Sequence, residues 1–374
     1  MRNHLYVNIV IIIILLLTAF LFTKNSIPTE EKNPPTEENQ PEATTTSNKN
    51  DGSIISTSTI STSSENIKKS QDKPAPIMNL PKSTWLWQSP LKLTEAEMQS
   101  YIDFLKREGF STVYIDITDY IDIYESGDTG QVAQFTAKLA TFTTLAGKTN
   151  INVEALVGGN KWSRPAYDYV PVTILDFVIE FNQQPQHTKL TGIQYDVESY
   201  NLPEFSNPQE QVTILTEYLT MVQKLTNKVA NKSPNLRLGF AVPFWFDNYT
   251  RDLPLITFNK SENPVGFHVL DILQSINNGY IVIMDYRNKT SGTNGSIELA
   301  KPQINYANKY TPRVGVIIAQ ETTNVEPASI TFFNQPKDNL NQALRELAQA
   351  FSYTKSLEGF AIHDIDGYKL MSDN

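Results

Sequence analysis

From Thr84 to His363 the chain repeats one unit: a short β-branched or apolar run, then a stretch with helical periodicity or composition. Eight runs read as strands: Thr84 to Gln88, Thr112 to Ile117, Ile151 to Val157, Leu190 to Asp196, Leu236 to Val242, Tyr280 to Asp285, Arg313 to Ala319 and Glu358 to His363. Helical stretches separate them. The first, Thr94 to Arg107, opens with the capping box Thr94-x-x-Glu97 and repeats Met98, Tyr101, Ile102 and Leu105 at helical spacing. Eight strands with intervening helices over residues 82–374 predict an α/β chain folded as one (β/α)8 TIM barrel; a doubly wound open sheet is the structural alternative. The chain stops soon after the eighth strand. A short stub from Tyr368 to Asn374, or the segment Ile77 to Pro81, is left to cover that side.

Two other regions precede the barrel. Residues 1–24 hold an apolar run from Tyr6 to Phe22, broken only by Asn8 and Thr18 and preceded by Arg2. No small-x-small cleavage site follows it, so an uncleaved single-pass anchor with the barrel outside the cell membrane is expected, and secretion is the alternative. Residues 25–81 are rich in Ser, Thr, Pro, Glu and Asn. Their apolar content is too low to offset chain entropy, which predicts a disordered spacer.

Composition removes several function classes. The sequence has no cysteine, which excludes thiol catalysis, disulfides and zinc-thiolate sites. The four histidines show no ligand-like spacing, so neither a metal nor a cofactor is expected. A net charge of −9 without a basic stripe argues against a nucleic-acid partner. The charge says nothing about oligomeric state.

The most informative strand is the fourth. Alternation sends Ile193, Tyr195 and Val197 to one face and Gly192, Gln194, Asp196 and Glu198 to the other. The polar face ends in two carboxylates roughly 6 to 7 Å apart by strand rise, at the end of the strand where barrel active sites are built. Other strand ends bring Trp162, Trp245, Asp285, Tyr286, Glu321 and His363 to the same rim. Aromatic faces with carboxylates and hydroxyls suit a carbohydrate. In a glycosidase, one of two neighbouring acids must be protonated to donate to the leaving oxygen, and like-charge repulsion raises its pKa. The structural alternative has either acid capping the helix that begins at Gln209 or pairing with Lys161 or Arg287.

Gly192-Ile193-Gln194-Tyr195-Asp196-Val197-Glu198 resembles the strand-four signature of glycoside hydrolase family 18, the chitinase-like barrels, Asp-Gly-x-Asp-x-Asp-x-Glu. Leu156-Val157-Gly158-Gly159, Phe240-Ala241-Val242-Pro243, Met284-Asp285-Tyr286 and Gly359 to Asp364 resemble its strand-three, strand-five, strand-six and strand-eight endings, in the same order. The resemblance implies substrate-assisted hydrolysis of an N-acetylglucosamine-containing glycan. Glu198 would be the general acid/base, Asp196 would orient the acetamido group and Tyr286 would be a second donor; Trp162, Trp245, Asp285, Glu321 and His363 are candidate substrate contacts. Thr191 and Gln194 stand where the signature has its first two aspartates, and His363 where the family carries tryptophan.

Two other functions fit the residues. Glu198 and Glu321 occupy the strand ends used by two-glutamate retaining glycosidases, which would act on a neutral polysaccharide. A tethered barrel could instead hold glycan without turnover through Trp85, Trp87, Trp162 and Trp245; the competing reading of Trp85 and Trp87 is a place in the barrel core.

Overall fold

The computed structural model describes residues 80–248 and 250–373. The expectations for residues 1–24 and for nearly all of 25–81 lie outside the described residues. Among the described residues, no helix is long and apolar enough to cross a membrane.

All eight strands form where the runs predict them: β1 Lys82–Leu86, β2 Thr112–Asp116, β3 Asn152–Gly158, β4 Gly192–Asp196, β5 Arg237–Pro243, β6 Gly279–Met284, β7 Gly315–Glu321 and β8 Leu357–His363. Every pairing between them is parallel, and β1 pairs with both β2 and β8, so the sheet is closed. The barrel alternative is therefore the correct one, and the open sheet is not formed. Helices Glu95–Arg107, Thr129–Gly147, Tyr169–Gln183, Pro208–Lys232, Val265–Leu273, Ser296–Tyr310 and Lys337–Ala350 surround it. The first carries the expected box: Glu97 N donates to Thr94 Oγ1 and Thr94 N to Glu97 Oε2. The closing stub is a six-residue helix, Ile365–Leu370, whose Gly367 amide is capped by Asp364.

Two elements are additions to the sequence reading. Helix Asp119–Ser126 follows β2 and stops at Gly127, which is left-handed with φ 69°. An antiparallel hairpin, Ile256–Phe258 with Ser261–Asn263, sits between β5 and β6. Its two turn residues, Asn259 and Lys260, both have positive φ, as the tight hairpin turn requires.

The strands read as apolar runs because they are covered twice. Their outward side chains, such as Ile115, Val153, Ile193 and Ile281, join the large core beneath the helices. The inward ones form a smaller cluster of Trp85, Tyr114, Leu156, Tyr280, Val282, Ile317, Ala319 and Ala361. Tyr280 lies flat across Gly239, where a Cβ would fall 2.1 Å from the ring. It thereby reaches Glu154, to which its hydroxyl donates at 2.5 Å. Arg237 donates to the same carboxylate at 3.0 Å and to Glu358 at 3.2 Å. Glu154 thus ties β3, β5, β6 and β8 together at the barrel's N-terminal end, as a structural group rather than part of the mouth.

Candidate active site

The opposite, C-terminal end is organised by a contact between β3 and β4. Gly158 pairs in register with Asp196, and a Cβ on Gly158 would lie 2.5 Å from the Asp196 carbonyl oxygen. Only glycine lets the two strands meet there without displacing the Asp196 backbone. Its neighbour Gly159 has the same task for Trp162, since a Cβ would strike the indole at 2.6 Å. Trp162 is 9 % exposed and belongs to the large core beneath the helices.

Asp196 and Glu198 cap no long helix and form no ion pair with Lys161 or Arg287. The helix that follows is capped by Asn207. Glu198 is held by the turn after it: Tyr200 Oη donates to one carboxylate oxygen at 2.5 Å and Asn201 Nδ2 to the other at 2.8 Å. Tyr200 is wedged edge-on against Trp245 at 4.9 Å and Phe246 at 5.8 Å, and the Arg251 guanidinium covers the Trp245 ring at 4.4 Å. Trp245, 5 % exposed, therefore braces the partner of Glu198. By contrast, Asp196 Oδ1 is buried with no donor from the protein, and the Gln194 amide nitrogen is buried with no acceptor. Gln194 Oε1 accepts from Trp85 Nε1 at 2.6 Å, which places Trp85, 1 % exposed, in the core beneath the mouth.

Burial and the charge of Glu198 raise the Asp196 pKa to about 8, against the opposing pull of His363. Burial likewise raises Glu198, opposed by its Tyr200 bond, by His363 and by Asn201. Burial first, then Glu321, Asp196 and Glu198, raise the Tyr286 hydroxyl well above its usual range, so Tyr286 stays a donor at neutral pH. These couplings place Asp196, Glu198, Tyr286, Glu321 and His363 in one electrostatic neighbourhood.

The remaining candidates are distributed differently. Tyr286 packs against the inner cluster with its ring 5.8 Å from His363. Asp285 is one step out of phase with it and is wholly enclosed, at 0 % exposure, while its carbonyl accepts from Gln320. Its carboxyl lies just past the end of β6, where the Asp285 amide turns back to the Ile283 carbonyl, and neither of its oxygens has a donor from the protein. Glu321 is 1 % exposed and points at His363. Tyr200 and Asn201 were absent from the sequence reading, although their place two and three residues beyond Glu198 is where a tight turn folds back. Among the described residues no group of three or more acidic or histidine side chains could hold a metal ion. A cavity of about 780 Å³ opens at the other end of the barrel, around Glu154, Arg237 and Glu358, away from the carboxylate pair.

No protein-family model and no curated protein matches this sequence. Solved structures do match the fold. A β-glucosidase from Thermotoga maritima in complex with deoxynojirimycin superposes with a TM-score of 0.50 at 12% identity, over 78% of this chain and 89% of that one. A GH18 chitinase from Pseudoalteromonas aurantia gives 0.47 at 12% identity, over 76% and 94%. An exo-β-1,4-mannosidase, Op5Man5, from Opitutaceae bacterium strain TAV5 gives 0.48 at 13%, over 76% and 52%. At these identities the likeness is one of fold alone.

The raised Asp196 pKa has a consequence for stability. A carboxyl whose folded pKa lies above its unfolded value, here about 8 against 3.8, favours the fold fully below the lower value. That contribution is lost as pH rises toward about 8. Asp196→Asn, which cannot ionise, is therefore expected to unfold at a higher temperature than wild type, by on the order of 5 °C near pH 8.5 and by little near pH 4. Calorimetric scans at the two pH values measure the difference; an equal offset at both would contradict it.

Proposed function

We propose that this protein is a glycoside hydrolase that cleaves N-acetylglucosamine-containing glycans with help from the substrate's own acetamido group. Glu198 gives its proton to the glycosidic oxygen as that oxygen leaves the anomeric carbon. The acetamido oxygen closes on the anomeric carbon from the other face. Asp196 accepts the acetamido N–H and balances the positive charge of the ring that forms, while Tyr286 donates a second hydrogen bond. Water then attacks the anomeric carbon, loses its proton to Glu198 and reopens the ring, which restores the starting state.

One observation carries this reading: at the mouth, a buried Asp196 oxygen without a donor stands beside a glutamate oriented by two donors. An amide N–H from a ligand would satisfy that oxygen. The two-glutamate route is less well supported. Glu321 already accepts four hydrogen bonds from the protein, leaving it poorly placed to attack a sugar carbon. The apolar run from Tyr6 to Phe22 supports a location outside the cytoplasmic membrane, where cell-wall glycan is the accessible polymer.

The test is turnover by the wild-type chain on chitin oligosaccharides, peptidoglycan glycan strands and a β-1,4-glucan that lacks acetamido groups. New reducing ends are expected from one or both of the first two and none from the glucan. Release from the glucan, or from no substrate, overturns the proposal; saturable binding without product would indicate a carbohydrate-binding barrel instead.

A further inference from the structure

The sequence holds four tryptophans, and three of them are closed to a ligand: Trp85, Trp162 and Trp245 are 1 %, 9 % and 5 % exposed. Trp87 is the exception. It is half-buried, stands one residue beyond the end of β1 and packs on the inner cluster of the barrel. Its height in the mouth follows from a contact one layer below. Trp85 Nε1 reaches across the barrel to Gln194 Oε1 at 2.6 Å, so these two side chains meet at one level. The strands are parallel, and the next inward residue on each is two positions on, about 6 to 7 Å nearer the mouth. On the β1 side that residue is Trp87, and on β4 it is Asp196. The indole and the carboxyl therefore border the same space from different walls.

The indole is held by its edge. Trp87 Nε1 donates to His363 Nε2 at 2.9 Å, with the two rings inclined at 69°. An indole nitrogen only donates, so Nε2 presents its lone pair and the proton of the imidazole sits on Nδ1. Nδ1 in turn donates to Glu321 Oε2 at 2.7 Å, and Glu321 Oε1 is fixed by the Thr322 amide and by the amide and hydroxyl of Thr323. Burial disfavours a second proton on the His363 ring and the Glu321 charge favours one, with a net rise in its pKa. The only atom left to take that proton is Nε2, where the indole N–H already points, so the contact is that of the neutral ring. Both nitrogens of His363 are engaged and the residue is 6 % exposed, which leaves it little surface for a ligand. Trp87 differs: its one polar atom is used, and what it exposes is aromatic carbon.

A fixed, half-buried indole level with a buried carboxyl suits a pyranose with equatorial ring substituents. Such a sugar offers one flat side of C–H bonds to the aromatic face and keeps its polar groups for the carboxyls. We propose that Trp87 is the residue on which the sugar bound at the Asp196–Glu198 pair stacks, with His363 and Glu321 as positioning residues that hold the indole in place. The inference rests on the reading of the β4 end as a glycan site and names the residue that selects the shape of the sugar.

The experiment is a fluorescence titration of the full chain carrying Glu198→Gln, which prevents turnover, with a chitin oligosaccharide and a β-1,4-glucan oligosaccharide. Trp87 is expected to be the tryptophan that acrylamide quenches, and at least one of the two glycans is expected to bind and shield it. That measurement decides even if a Trp87 variant fails to fold. Trp87→Ala should weaken binding by roughly 10- to 100-fold. His363→Leu, which removes the acceptor of the indole N–H, should weaken it by about 5-fold, and should cost nothing further in a Trp87→Phe chain, which has no N–H to hold. Binding of neither glycan, binding that leaves the quenched tryptophan unshielded, or undiminished affinity in Trp87→Ala overturns the proposal. An equal loss from His363→Leu with and without the Trp87 indole overturns the positioning role. Failure of the hydrolase reading shows separately, as shielded binding by a wild-type chain that releases no reducing ends.

Discussion

Glu198→Gln is expected to lower kcat on an acetamido-containing glycan by about 10²- to 10⁴-fold, the usual worth of a positioned general acid/base. The amide keeps the shape of the side chain and can still accept from Tyr200 Oη. It cannot supply a proton to the leaving oxygen or take one from water. Its NH₂ group would face the Asn201 Nδ2 donor, so a stability loss of about 1 kcal/mol is expected beside the large loss of rate. Steady-state kinetics with an urea-unfolding control separates the two effects. If kcat is unchanged in a folded variant, Glu198 is not the acid.

The largest effect on stability is expected at the other end of the barrel. Glu154→Leu leaves Tyr280 Oη without an acceptor and takes from Arg237 the more buried of its two carboxylate partners. Removing one member of a buried pair typically costs 3–5 kcal/mol, because the charge left behind is uncompensated; here Arg237 keeps Glu358, so about 3 kcal/mol is expected. At roughly 2–4 °C per kcal/mol for a domain of this size, the melting temperature should fall on the order of 10 °C. A scanning calorimetry difference below about 2 °C would mean that the four-strand tie contributes little. Retained turnover by the folded fraction would confirm that Glu154 has no place in the chemistry.

These two predictions show what the sequence made legible and what it did not. Strand four was readable because its faces differ: Ile193 and Tyr195 need a covering layer, while Gln194 and Asp196 need an interior that is not wholly apolar. The eight repeats then fixed which end of the strand forms a mouth. Glu154 was readable only as an inward polar residue, since its partners Arg237 and Tyr280 come from strands distant in sequence, and only the closed barrel brings them together. Asp285 was ambiguous for a related reason. The triplet Met284-Asp285-Tyr286 ends a strand, and without knowing the phase of the turn nothing decides which of the three faces inward. The hairpin at 256–263 carries Asn-Lys rather than the Asn-Gly pair that marks such turns, so it left little trace. The Glu321–His363–Trp87 chain was hidden because it joins three strand ends, each holding one member.

The central claim is that Asp196 receives the acetamido group of the substrate. Its most direct test is calorimetric binding of N-acetylglucosamine-thiazoline, which mimics the closed ring, to wild type and to Asp196→Asn. Saturable binding to wild type is expected, weakened by about 10- to 100-fold in the variant through loss of a charge-assisted hydrogen bond worth about 1.5–3 kcal/mol. Absence of binding to wild type, or equal affinity in the two proteins, would contradict it.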